Sequence, residues 1–169
     1  MDEHGFRLRL RVRATLAGFD AAAEEAMRAV LADERQPAPG RPFCLLVDRE
    51  WLSVSIGPDW EEFGQTGILG ESDLPLGLCD EEVTEEFWAA LAPGYDPHQV
   101  MEEELYPWLA ARWAAACDGR PQPAIAGDSP LGPMAFDLLR NDWYVYEPDT
   151  GRLWPAEPDS TAPGRDPAD

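Results

Sequence analysis

Asp80, Glu81, Glu82, Glu85 and Glu86 place five carboxylates within seven residues. Carboxylates this close can do acid–base chemistry when burial drives the pKa values of a pair apart. They can also hold calcium through their oxygens, although the spacing here does not match a helix–loop–helix calcium loop. A run this dense resists burial and stays ionised and solvated. Its simplest chemistry is therefore electrostatic: a face that meets the cationic groups of a partner. Glu102, Glu103 and Glu104 repeat the pattern farther along, and Trp88 and Tyr95 lie between the two runs. Large aromatics of this kind carry much of the binding energy at protein interfaces. These residues form the expected partner-binding set, and no catalytic residue, metal ligand or cofactor is assigned.

Other reactive side chains are scarce. Histidine occurs only at positions 4 and 98. His98 and Glu102 are four apart on an expected helix and share one face, but a useful metal site takes at least three protein ligands; a surface histidine is the expectation. Cys44, Cys79 and Cys117 form an odd, widely spaced set without a CxxC pair. That pattern suits reduced thiols in a cytoplasmic setting, and a Cys–His nucleophilic pair has no local signature here. The run GQTGILG has spaced glycines but is not a GxGxxG motif. Glu61, Glu62 and Glu71 at its ends set up the wrong field for a phosphate. Arg7, Arg9, Arg11 and Arg13 alternate with Phe6, Leu8, Leu10 and Val12, which reads as a β-strand over residues 6–16. Its row of guanidinium groups needs carboxylates across from it, supplied by neighbouring strands. An anion site is the functional alternative.

The acids are not evenly spread. From Glu50 to Ala111 the chain has fifteen carboxylates and no Arg or Lys, so this stretch holds −15 of a total net charge of −20. Nucleic acid is excluded as a direct ligand, since phosphate binding needs clustered cations, and anionic membrane surfaces are excluded for the same reason. No apolar run approaches the roughly 20 residues of a membrane span, and the first residues lack the pattern of a signal peptide. All thirteen basic residues are arginine, which GC-rich coding accounts for. At 169 residues with 44% hydrophobic content, the chain is long enough for one domain with a proper core.

The elements that must position these residues follow from periodicity and punctuation. Asp20 to Glu34 reads as a helix with Asp20 as N-cap and an apolar stripe of Ala23, Ala26, Met27, Val30 and Leu31. Residues 43–47 and 51–56 read as a hairpin, with Leu52, Val54 and Ile56 facing the core and Ser53 and Ser55 outward. Residues 59–79 read as loop. A short helix is expected over 85–92, and a longer one from an Asp96 cap to Cys117. Its stripe is Met101, Leu105, Trp108, Leu109, Trp113 and Ala116, with a kink or a break into two helices at Pro107. Residues 118–133 read as a Gly/Pro-rich connection, with a further strand at 134–139. Residues 143–147 and 152–154 then form a terminal hairpin around Pro148–Asp149–Thr150–Gly151. Its aromatics Tyr144, Tyr146 and Trp154 are read as core rather than contact surface. The ending FDLLRNDWYVYEPDTGRLWP, with its acidic aromatic hairpin, loosely resembles small bacterial immunity proteins. The likeness spans about twenty residues, and no family is assigned from it.

The expected fold is therefore α+β: a single domain over 1–154 with a mainly antiparallel sheet beginning with a β-α-β-β unit, about three helices and a C-terminal β-hairpin. Residues 155–169 are expected to be a disordered Pro-rich tail. The expected function is that of a non-catalytic acidic binding protein that neutralises a basic protein partner. Its most concrete form is an immunity or antitoxin-type inhibitor of a cationic, nuclease-like toxin. A carboxylate-based metal-dependent enzyme and a chaperone for a basic client are the alternatives.

Overall fold

The computed structural model describes residues 3–48, 53–58, 97–127, 134–147 and 149–155. They form an α+β fold. Helices α1 (Glu3–Gly18) and α2 (Asp20–Ala32) come first. Strands β1 (Phe43–Asp48) and β2 (Ser53–Gly57) follow, then α3 (Pro97–Ala116) and strands β3 (Ala124–Gly127), β4 (Met134–Asp137), β5 (Asp142–Glu147) and β6 (Arg152–Pro155). The six strands make one sheet in the order β2-β1-β3-β4-β5-β6. Pairing is antiparallel throughout except between β1 and β3, which run parallel. A parallel neighbour needs a crossover connection, and α3 lies within it.

The strand expected over 6–16 is instead part of α1, so the fold opens α-α-β-β rather than β-α-β-β. The physical reason lies in the pattern itself. An alternation of period two also contains an i, i+4 series, here Leu8, Val12, Leu16 on one side and Arg9, Arg13 on the other. Leucine and arginine both favour helix. Val12 and Leu16 are buried in the core, while Arg9 and Arg13 reach acids on α3.

Helix α2 follows after a single residue. Phe19, not Asp20, occupies its N-cap position and supplies no side-chain cap; the Asp20 carboxylate instead accepts from the Trp108 indole at 2.7 Å. The expected stripe holds: Ala23, Met27 and Val30 are buried, with Ala26 and Leu31 packed against them. Helix α3 runs unbroken through Pro107, so of the expected kink or break into two helices, the break is not seen. Leu105, Leu109, Trp113 and Ala116 are buried as expected, and so are Tyr106 and Ala110, which the stripe omitted. The expected helix over 85–92, the Asp96 cap, the Gly-rich run and nearly all of the tail lie outside the described residues.

The three described helices join one core with one face of the sheet, through Phe43, Leu45 and Val47 of β1, Val54 and Ile56 of β2, and Phe136 of β4. The opposite face carries a second cluster of Cys44, Ile125, Ala135 and Tyr146. Ser55, opposite Leu46 on this second face, is buried rather than outward. Strand β3 falls inside the segment expected to be a connection. Its sequence Ala-Ile-Ala-Gly is buried at every position, so it has no alternation to reveal it.

The β5–β6 turn depends on one glycine. Gly151 has φ 70°, its amide donates to the Glu147 carbonyl at 2.8 Å, and Arg41 Nη2 donates to the Asp149 carbonyl at 2.6 Å. A Cβ at position 151 would stand 2.6 Å from Arg41 Cδ. Gly151→Ala is expected to cost about 1–2 kcal/mol from the left-handed backbone alone. The check is the midpoint of urea unfolding; an unchanged midpoint would mean the turn is not held this way.

Candidate functional site

Three consecutive residues of α3 bring part of the acidic stretch into view. Successive side chains on a helix are about 100° apart, so Glu102, Glu103 and Glu104 serve different surroundings. Glu104 turns toward α1 and is 10% exposed. Its carboxylate accepts from Arg13 Nε at 2.6 Å and Nη2 at 2.9 Å, and from Arg9 Nη1 at 3.0 Å. Burial by itself would push the Glu104 carboxyl up. The hydrogen bonds and charges of Arg13, and then Arg9, outweigh that and hold it below the ordinary glutamate value. Glu103, 43% exposed, pairs with Arg9 Nη2 and accepts from Gln99 Nε2 at 3.2 Å. Arg9 and Arg13 of the arginine row thus find their carboxylates on a helix, not on the neighbouring strands expected. Arg9 and Arg13 are engaged in the fold rather than set out for an anion; the Arg7 and Arg11 side chains lie outside the described residues.

Glu102 faces the other way. With Gln99, Glu103 and Pro107 it walls a groove of about 360 Å³ whose far side is Phe136 of β4 and Trp143 of β5. Both rings pack on Tyr106 of α3, with centroids 5.3 Å and 4.8 Å away. A second groove of about 310 Å³ lies among the helices, lined by Arg13, Leu16, Asp20, Glu104, Trp108 and Arg112 among others. Its charges are already matched: Arg112 Nη1 pairs with Asp20 at 3.1 Å and Glu24 at 3.0 Å.

Of the expected partner-binding residues, Asp80, Glu81, Glu82, Glu85, Glu86, Trp88 and Tyr95 lie outside the described residues, as do the side chains of His4 and His98. Cys44 and Cys117 are buried free thiols, and burial pushes the Cys117 thiol up, away from a reactive thiolate. Among the described residues no group of three or more His, Cys, Asp or Glu side chains is placed to hold a metal, and no helix is long and apolar enough to cross a membrane.

One aromatic of the terminal hairpin departs from the expected core position. Tyr146 is buried as expected and Tyr144 is half-buried, but Trp154 is 52% exposed. Phe136 and Trp143, which line the groove, were not singled out. Their signal is the i, i+2 pattern shared with Met134 and Val145. Comparison with protein-family models, with curated proteins and with solved structures finds no match to this chain.

Proposed function

We propose that this chain is a non-catalytic acidic binding protein that neutralises a basic protein partner, in the manner of an immunity or antitoxin-type inhibitor of a cationic, nuclease-like toxin. The observation that carries this reading is charge segregation: −15 of the net −20 falls between Glu50 and Ala111, where there is no base at all. Most ion pairs among the described residues lie outside that stretch, while two of its acids are used within the fold. Arg28, Arg35, Arg112 and Arg140 pair with Glu24, Asp33, Asp20 and Asp137, all outside that stretch. Within it, Glu103 and Glu104 take up Arg9 and Arg13.

Inhibition would work by occlusion, with carboxylates meeting the Lys and Arg groups that hold phosphate in a nuclease. Long-range attraction speeds encounter, and buried aromatics slow release. The test is a pull-down from the native host followed by stopped-flow association with the captured partner. The on-rate is expected to fall at least about tenfold between low and high salt. A rate that stays flat would sink the electrostatic reading.

A further inference from the structure

Among the described residues, the helical layer shares its core with β1, β2, β3 and β4 and reaches Trp143 of β5. Phe136 stands opposite Trp143, their rings 5.4 Å apart, and Tyr106 seals both from above. Two residues along the same strands, Met134 stands opposite Val145, and Val145 opposite Trp154 of β6. Side chains two apart on a strand share a face, so this second row lies beside the first. Met134 and Trp154 are 36% and 52% exposed, and Val145 is half-buried. An apolar row therefore runs from the groove walled by Glu102 and Glu103 out to the last strand in the sheet order.

We propose that the groove and the row Met134–Val145–Trp154 are one docking surface, and that its occupant is an apolar, arginine-bearing segment of the basic partner. The inference rests on the acidic-binding reading above and names where and how that partner is held. Apolar side chains of the segment cover Trp154, Val145 and Met134, while a guanidinium enters the groove against the Trp143 ring and adds to the contacts that Glu102 and Glu103 already make within the fold. The chain already uses both halves of this chemistry on its own arginines. Glu103 takes the Arg9 guanidinium on its α1 side, and the Arg140 guanidinium sits 5.2 Å from the Tyr144 ring centre on the same hairpin. A wet acidic rim around an aromatic anchor is the usual anatomy of a binding surface, whereas a large exposed aromatic on an outer strand is otherwise an aggregation hazard. A second copy of this chain is the wrong occupant, because two bodies of net charge −20 repel each other.

The experiment titrates isotope-labelled full-length protein with a capped pentapeptide alternating leucine and arginine, and with the same peptide carrying glutamate for arginine. The indole N–H resonances of Trp143 and Trp154 are expected to move with the first peptide and not with the second. Trp154→Ala, at an exposed position where folding is not at stake, should weaken the arginine peptide about tenfold. Glu102→Gln should weaken it about fivefold at low salt, with the difference shrinking as salt rises. If the peptide binds while both indoles stay still and Trp154→Ala retains wild-type affinity, this surface is wrong and the acidic-binding reading stands. Equal binding of the glutamate peptide overturns the role given to Glu102 and Glu103. No binding of either peptide also removes the surface, and the acidic-binding reading is then judged on the salt dependence of the native partner.

Discussion

Trp113→Ala is expected to lower the unfolding free energy by about 3–5 kcal/mol, the range for truncating a buried Trp or Phe. Trp113 is among the largest fully buried side chains of the fold. Its ring lies 5.4 Å from that of Phe43 on β1, and its indole N–H donates to the Gln122 carbonyl at 2.8 Å. One residue on, the Pro123 carbonyl accepts from the Phe43 amide at 2.9 Å. A single side chain thus fastens α3 to β1 and to the approach to β3, where the one parallel pairing of the sheet begins. Domains are stable by only about 5–15 kcal/mol, so the loss is a large share of the total. At roughly 2–4 °C per kcal/mol for a chain of this size, the melting temperature should drop by about 6–20 °C. Trp113→Phe separates packing from hydrogen bonding. It keeps an aromatic ring against Phe43 and removes only the indole donor to the Gln122 carbonyl, which belongs to an exposed residue. That variant should lose only about 1–2 kcal/mol. Urea unfolding measures both, with an unchanged slope showing that the change lies in stability. A loss below about 1 kcal/mol for Trp113→Ala would mean that α3 is not the centre of this core.

The elements that could be read from the sequence are those whose signals are local. Ala23, Met27 and Val30 repeat at helical spacing, and they line the buried side of α2. The β5–β6 hairpin is announced by Pro148–Asp149–Thr150–Gly151, and Gly151 does take the left-handed conformation such a turn requires. Helix α1 is ambiguous in the sequence because Leu8, Val12 and Leu16 satisfy a strand and a helix equally well. What separates the two lies far away in the chain, where Glu103 and Glu104 meet Arg9 and Arg13 across more than ninety residues. Strand β3 was missed for a different reason, since a short strand buried on both faces has no periodicity. The same division applies to the candidate surface. That Glu102, Glu103 and Glu104 are acidic is plain from the sequence; that they address different neighbours follows only once α3 is seated. Trp154 reads as one more core aromatic until the reach of the helical layer over the sheet is known.

Glu104→Gln is expected to destabilise the fold by about 1–2 kcal/mol, and to do so only above acid pH. The magnitude lies between an exposed ion pair, worth at most about 1 kcal/mol, and a buried one broken by losing a partner, which costs about 3–5 kcal/mol. Glu104 is nearly covered and Arg9 is three-quarters covered, while Arg13 is mostly in water, so the cluster falls between those two limits. The pH dependence follows from the sign of the shift. Because the folded protein holds this carboxyl below its ordinary value, the unfolded chain takes up the proton first as pH falls. The stabilisation is complete above the ordinary glutamate value and is lost as pH drops through the lower folded value. Wild type and Glu104→Gln should therefore differ at pH 7 and converge in acid, as read from denaturation midpoints across that range. An Arg9→Gln cycle on the same background separates the pair from the rest, and its coupling should vanish over the same interval. A difference that persists unchanged in acid would assign the effect to packing instead of charge. Glu104 would then belong with the apolar contacts of α3, and Arg9 and Arg13 would no longer account for why this acid of the basic-free stretch is drawn into the fold.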